Sequence, residues 1–323
     1  LQFEITPRLW QRAMRLEELN YTLPEELIAQ QPARPRDSSR LLILHRASGK
    51  IEHRHFTDIL DYLSSADVLA INNTRVLPAR LFATLSQPQG ATAAGSAASR
   101  PVEVLLLRQE GEEIWEALVK PGRKAKEGAR LHLEEGLRGE ILEKTPTGSR
   151  RIRFTLEGEA LPPPGAVHAA LQRLGKPPLP PYIRAPLRRE SDYQTVYARW
   201  PGSVAAPTAG LHFTGRLLAR LRQKVAKVCF VTLHIGPATF RPIRSDVVED
   251  HPMSPERFSL SPRAAAAINR LRESGGRVIA VGTSTCRVLE SCANEAGLLQ
   301  PAKGETSLFI TPGFRFRATD ALL

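Results

Sequence analysis

The sequence predicts an α/β protein: a discontinuous α/β sheet domain with helices on both faces, interrupted by an inserted small β-barrel domain. Three observations predict it. From about residue 205 onward, buried apolar runs alternate with helical periodicity, the pattern of a parallel or mixed sheet. Between 102 and 156, short β segments recur with a turn signal roughly every ten residues, as in a small barrel. Before residue 76, helix and strand signals alternate as they do after 205, so the β segment interrupts a single α/β domain. The expected division is 14–76 with 157–323 for the α/β domain and 77–156 for the barrel. Residues 1–13 read as an extension or tag-like segment, and 83–101 as a flexible insertion rich in Ala, Ser, Gly, Gln and Pro.

Each element has its own signal. Pro24–Gln30 suggests a short helix, Leu41–Leu44 a strand, the region near Phe56–Leu63 a helix, and Val68–Ile71 a fully apolar, buried strand. The barrel candidates are Val102–Leu107, Ile114–Val119, Ala129–Leu133, Gly139–Leu142 and Arg151–Thr155. Turns such as Pro121-Gly122, Glu135-Gly136 and Thr147-Gly148 separate them. Farther on, Thr214 can cap a helix whose Leu217, Leu218, Leu221 and Val225 share one face. Val228–Leu233 follows as a strand. Ser261-Pro262 is a good start and Gly275-Gly276 a good stop, which brackets a helix over 262–274. Arg277–Val281 reads as a strand, Cys286–Ala296 as a helix and Leu308–Ile310 as a last strand.

Composition narrows the function classes. The 323 residues are 42% hydrophobic and 24% charged, a globular balance that excludes wholesale disorder. No apolar run approaches the ~20 residues of a membrane span. Three cysteines without a CxxC pair suit neither a disulfide scaffold nor structural zinc. With no secretory signal pattern at residues 1–14, the expectation is a cytoplasmic, reduced protein that does not engage a membrane. Lys and Arg number 45 against 33 Asp and Glu, a net charge of +12, and arginine supplies 36 of the 45. Such a balance suits a polyanion such as RNA or DNA; genome composition produces it as well.

Chemistry concentrates where buried strands end, because ligands of open α/β sheets bind beyond the carboxyl ends of strands. Three strands run into polar loops: Asn72-Asn73-Thr74-Arg75, His234-Ile235-Gly236 and Gly282-Thr283-Ser284-Thr285. A fourth segment, Gly202–Thr214, is dense in small residues and ends at His212 before a helix. His212 and His234 are the candidate proton-transfer groups, although a lone histidine is often a satisfied structural one. No histidine cluster has a metal-ligand spacing. From 184 to 227 nine basic residues, including Arg184 and Arg199, stand against two acidic ones, interleaved with Tyr182, Tyr193, Tyr197 and Trp200. Cations among aromatic rings suit single-stranded or loop RNA, and a solvated helix face competes as the explanation. The stretch Ala33–Arg40 (ARPRDSSR) adds a basic loop.

Several segments carry a closer likeness: LPEELIAQQPARPRDSSRLL (23–42), INNTRVLPARL (71–81), WEALVKPGRKAKEGARL (115–131), LPPYIR (179–184), DYQTVYARWPGSVAAPTAGLHFT (192–214), VTLHIGPATFRPI (231–243) and RVIAVGTSTCRVLES (277–291). Together they resemble the S-adenosylmethionine:tRNA ribosyltransferase-isomerase family of queuosine biosynthesis, from Met14 to Leu323. The sequence departs from the family pattern at Gly236-Pro237-Ala238-Thr239-Phe240, at Met253-Ser254 where a histidine is usual, and in the 83–101 insertion. The family also continues beyond the position of Leu323 into a segment resembling TNFHLPxST.

The resemblance implies a transferase that moves and isomerises the ribosyl group of S-adenosylmethionine. The acceptor is 7-aminomethyl-7-deazaguanine at the wobble position of a tRNA anticodon stem-loop, and adenine and methionine leave. S-adenosylmethionine is then a substrate, and no cofactor or metal is expected; a monomer is expected. On this basis His212 and His234 are expected to move protons. Thr208, Gly210, Gly236, Thr283, Thr285 and Arg287 are expected to line the S-adenosylmethionine pocket. Arg36, Arg75 and Arg80 are expected to meet phosphates or the methionine carboxylate, and Arg184 and Tyr193 the tRNA. Two other readings stand beside it. An RNA methyltransferase would usually carry a GxGxG loop, which this sequence lacks; the other is an RNA-binding protein without catalysis.

Overall fold

The computed structural model describes residues 13–86, 100–158, 163–240, 243 and 245–323. The chain divides into two compact units: Leu1–Arg75 with Pro180–Trp200 and Ala206–Leu323, and Val76–Leu179 with Pro201–Ala205. The strands ahead of the barrel are β1 (Arg40–His45), β2 (Lys50–His55), β3 (Val68–Asn72) and β4 (Thr74–Val76). Those of the barrel are β5 (Arg80–Ser86), β6 (Arg100–Gln109), β7 (Ile114–Lys120), β8 (Arg130–His132), β9 (Leu137–Lys144) and β10 (Arg150–Leu156). Helix α1 (Ala166–Leu174), β11 (Trp200–Ser203), α2 (Gly215–Lys224), β12 (Lys227–Leu233) and β13 (Glu256–Leu260) follow. The last elements are α3 (Pro262–Glu273), β14 (Val278–Ala280), α4 (Thr283–Cys292), β15 (Ala302–Thr306) and β16 (Ala321–Leu322).

The first unit is built on a six-stranded sheet in the order β15-β13-β12-β3-β14-β16. Strands β12, β3, β14 and β16 run parallel, so their carboxyl ends share one edge. Strands β13 and β15 are antiparallel additions beside β12. Central β3 is buried along its whole length because both faces of the sheet are covered. Its alternation sends Val68 and Ala70 toward α3 and α4, where they meet Ile268, Val288 and Leu289. Leu69 and Ile71 point the other way, into a core with Phe56, Phe213, Leu217 and Leu221 of the α2 side. Capping places these helices: Thr214 accepts from Leu217 N at 3.1 Å, and Ser261 accepts from Ala264 N at 3.2 Å. Among the described residues no helix is long and apolar enough to cross a membrane.

The second unit contains a closed barrel in the order β10-β7-β6-β5-β8-β9. Alternating residues fill it, with Val104, Leu131, Leu137, Ile152 and Phe154 buried. Helix α1 lays Val167, Ala170 and Leu171 into the same core. Helix α1 therefore groups with the barrel, whereas the sequence pattern puts that domain's end at 156. The shared core is the physical reason.

The elements differ from expectation in several places. Pro24–Gln30 holds only a 3-10 turn at Glu25–Leu27, and Phe56–Tyr62 is also 3-10. The helix expected over Cys286–Ala296 runs from Thr283 to Cys292. Leu41–Leu44 does form a strand, but within a separate two-stranded hairpin with the polar β2. Leu308–Ile310 is not a strand. A strand that was not expected, Ala302–Thr306, lies beside β13; it turns little apolar surface to a neighbour and so gives no pattern. Residues 83–86 and 100–101, read as parts of an insertion, belong to β5 and β6, which pair as neighbours. The rest of that insertion, 87–99, and residues 1–12 lie outside the described residues.

Candidate active site

Three loops meet at the carboxyl edge of the parallel strands, as their order β12-β3-β14 dictates. Asn72, the last residue of β3, ties them together. Its Oδ1 accepts from Leu233 N at 3.1 Å and from Thr74 N at 3.1 Å. Its Nδ2 donates to Leu233 O at 3.0 Å and to Ser284 Oγ at 3.2 Å. The carboxamide thus fixes β12 and the start of α4 relative to β3. Next to it, the Thr74 hydroxyl lies 2.8 Å from His234 Nδ1. A hydroxyl donates or accepts, so this contact serves either tautomer of the ring. Burial first, then the nearby Arg257 charge, holds the His234 pKa below its ordinary value.

His212 occupies a similar setting. Its Nδ1 lies 2.7 Å from Ser39 Oγ, and its ring stacks on Phe56 with centroids 5.1 Å apart. Burial, then the Arg36 charge, lowers its pKa too. Both imidazoles are therefore predominantly neutral at pH 7, the form that accepts a proton. The turn leading to His212 is tightly packed. A Cβ on Gly210 would lie 2.1 Å from Tyr197 Oη, so only glycine fits there. Ala209, in the same turn, would be 3.3 Å from a Cβ on Gly282, which has φ +79°. The 208–212 turn and the strand-to-helix turn at Gly282 are thus immediate neighbours.

Residues 36–39 act as a clamp. Arg36 Nη1 donates to Gln194 O at 2.8 Å and to Leu211 O at 3.4 Å, and Nη2 donates to Ser191 O. Buried Asp37 accepts from Thr214 Oγ1 at 2.6 Å, and Ser39 reaches His212. One short segment thereby holds Leu211, His212 and Thr214 in place. The sequence reading put Arg36 against phosphate or carboxylate; here backbone carbonyls occupy its guanidinium.

The other expected residues separate into groups. Thr208 and Thr283 are exposed at the turns that meet at Gly282. Gly236 N donates to Glu256 Oε1 at 2.9 Å. Thr285 is buried and its hydroxyl donates to Val281 O at 2.6 Å. Arg287 is buried as well, paired with Glu256 and donating to Thr306 O at 2.9 Å and Ser254 O at 3.2 Å. In this structure the Gly236 amide and the side chains of Thr285 and Arg287 therefore meet protein partners. Arg75 is exposed and donates to Ala198 O at 3.0 Å. Arg184 is exposed and paired bidentately with Glu25. Arg80 belongs to the barrel unit, where it pairs with Glu103 and lies 5.2 Å over the Phe82 ring. Tyr193 is buried, with its pKa pushed up to about 12 by burial, so its ring does not present a surface to RNA.

Sequence reasoning missed Ser39, Phe56, Asp37 and Glu256. Their partners are distant in the chain, and only the polar character of ARPRDSSR hinted at the clamp.

A sequence model of the queuosine biosynthesis protein family matches residues 16–323. An S-adenosylmethionine:tRNA ribosyltransferase-isomerase of Symbiobacterium thermophilum is 48% identical over 311 residues, spanning 96% of this chain and 86% of that protein. A protein of the same name from Moorella thermoacetica is 46% identical over the same shares of the two chains. The solved S-adenosylmethionine tRNA ribosyltransferase of Thermotoga maritima is 32% identical, with a TM-score of 0.43, over 94% of this chain and 82% of that one. A match of this length, joined to relatives this similar, makes the chain a member of the queuosine biosynthesis protein family.

Proposed function

We propose that this chain is a transferase that moves and isomerises the ribosyl moiety of S-adenosylmethionine onto a tRNA base. The acceptor is 7-aminomethyl-7-deazaguanine at the wobble position, presented by the anticodon stem-loop. Epoxyqueuosine-tRNA forms, and adenine and methionine leave. Support comes from family membership together with one observation: two half-buried imidazoles, each held at Nδ1 by a hydroxyl, with burial favouring their neutral form.

The chemistry asks for such groups. The sulfonium acidifies the C5′ protons of the ribose, so an imidazole of modest basicity can remove one. Adenine departure requires a proton delivered to the base, so a general acid is needed as well. A ring fixed at Nδ1 leaves Nε2 as the working nitrogen, and the two histidines can divide the roles. Asn72, Thr74, Ser39 and the 36–39 clamp position them. Thr208, Gly210, Gly236 and Thr283, at or beside the converging turns, are the residues of this edge best placed toward S-adenosylmethionine. Exposed Arg75 is placed for a phosphate or carboxylate.

The test is product identity. Incubated with S-adenosylmethionine and precursor-bearing tRNA, the protein should release adenine and methionine in equal amounts. Release of S-adenosylhomocysteine would indicate methyl transfer instead, and no release would indicate a binding protein. Retention of full single-turnover transfer by both His212→Ala and His234→Ala would overturn the assignment of proton transfer.

A further inference from the structure

The α2 face of the sheet carries a hollow of about 340 Å³ beside the candidate site. Asn73, Tyr197, Arg199, Leu218, Arg222 and Phe230 are among the residues that line it. Strand alternation creates it. Cys229, Val231 and Leu233 point toward α3 and α4, so Phe230 and Thr232 face the α2 side, where Phe230 remains 36% exposed. The Tyr197 ring meets Phe230 edge-on, centroids 6.4 Å apart. Arg199 lies 4.9 Å over the ring of exposed Trp200. The hollow joins the site through Asn73: Thr232 Oγ1 donates to Asn73 Oδ1 at 2.7 Å, and the next residue, Thr74, holds His234.

We propose that this hollow binds one unpaired nucleotide of the RNA substrate, a neighbour in the loop of the base being modified. The proposal rests on the reading that RNA is a substrate. Phe230 and Tyr197 supply apolar ring surface for a base to pack against, a contact every base can make. Arg199 and Arg222 supply two guanidiniums for its phosphate. No carboxylate stands among the described residues lining the hollow. That last feature separates the two substrates. S-adenosylmethionine carries a sulfonium, an ammonium and one carboxylate, net positive, and a rim of two guanidiniums repels it; a nucleotide is an anion and is attracted. The size also fits, since about 340 Å³ lies at the small end of ligand-binding hollows.

Two variants test it. Phe230→Leu removes the ring and keeps apolar bulk; Arg222→Gln removes a cation from the exposed side of α2. Kd for an anticodon stem-loop RNA is measured across salt concentrations, and KM for S-adenosylmethionine is measured alongside. Phe230→Leu is expected to weaken RNA binding roughly tenfold or more. Arg222→Gln is expected to flatten the dependence of log Kd on log salt by about 0.7, one phosphate contact in a single strand. In both, KM for S-adenosylmethionine stays within about twofold. A loop 2-aminopurine beside the target base should be quenched on binding the unaltered protein and less quenched by Phe230→Leu. Unchanged RNA affinity and salt slope in both variants would overturn the proposal, as would a rise in KM for S-adenosylmethionine with RNA binding intact. Should Phe230→Leu fail to fold, the Arg222→Gln salt slope decides. Failure of the unaltered protein to bind the RNA would sink the functional reading itself; variants that match a competent parent sink only this proposal.

Discussion

The Thr74 hydroxyl lies 2.8 Å from His234 Nδ1, across the junction of two parallel strands 160 residues apart in sequence. Thr74 lies two residues beyond the end of β3 and His234 directly follows β12, and Asn72 locks those strand ends together. Thr74 is a positioning residue in this arrangement. Thr74→Val should lower kcat roughly tenfold, the scale of one lost orienting hydrogen bond, with KM for S-adenosylmethionine little changed. Thr74→Ser should restore most of the loss, because it keeps the hydroxyl. If Val and Ser variants were equally impaired, side-chain shape rather than the hydrogen bond would matter.

The pH dependence has a defined sign. His212 and His234 both titrate below the ordinary histidine value, principally through burial and secondarily through Arg36 and Arg257. A base must be neutral to act, so the acid limb of kcat/KM should lie below about pH 6.5. Arg257→Gln removes the cation near His234, raises that pKa and should move the limb upward. Stability follows the same direction. A histidine with a depressed folded pKa contributes fully above its unfolded value and loses that contribution as pH falls through the folded pKa. Melting measured from pH 7.5 downward should therefore weaken below about pH 6.5, and an acid limb centred above that pH would contradict the assignment.

The scaffold is largely legible in the sequence because three of the four parallel strands are short apolar runs ending abruptly in polar residues; β16, only Ala321–Leu322, carries no such signal. Val68–Ile71, Val228–Leu233 and Arg277–Val281 all have that form, and their ends are where the loops meet. What the sequence does not carry is which polar group faces which. Ser39 and His212 are 173 residues apart, and nothing local marks them as partners. Arg36 looks like an anion ligand by residue type, yet folding places carbonyl oxygens of 191, 194 and 211 around it. Tyr193 and Tyr197 sit in one Arg-rich stretch, and burial of the first is a tertiary outcome that composition does not encode. Strand β15 is hidden for a related reason: AKGET has no apolar alternation, and its pairing to β13 rests on backbone hydrogen bonds.

Gly210 offers a steric test of the turn that presents His212. A methyl group there would collide with Tyr197 Oη at 2.1 Å and approach Thr195 Cγ2 at 2.9 Å. Tyr197 is itself packed against Phe213 and Phe230, so it has little room to retreat. Gly210→Ala should destabilise the protein by about 1–3 kcal/mol, the usual range for overpacking. It should also reduce kcat, because the displaced turn carries His212. Gly215→Ala is the comparison, since a Cβ at Gly215 meets nothing within 4 Å. Equal melting temperatures for the two variants would show that the contact is not restrictive.

The buried pair Glu256–Arg287 makes a distinct claim about charge. Burial raises the Glu256 pKa and lowers that of Arg287, so desolvation opposes ionisation of both partners. Their attraction and the surrounding hydrogen bonds hold them ionised: Gly236 N serves the carboxylate, while Thr306 O and Ser254 O serve the guanidinium. Removing one partner leaves the other charge buried and unpaired, which costs about 3–5 kcal/mol in such pairs. Glu256→Ala should therefore lower stability by that order, and it should also free the Gly236 turn that follows His234. Glu256→Gln keeps an oxygen for Gly236 N but abandons the Arg287 charge, so it should lose stability nearly as much while disturbing kcat less. The double variant Glu256→Gln with Arg287→Met should recover part of the stability, because no buried charge remains. Denaturant unfolding of the three proteins measures this directly. A double variant less stable than Glu256→Gln alone would show that the Arg287 contacts to Ser254 and Thr306 outweigh its unpaired charge.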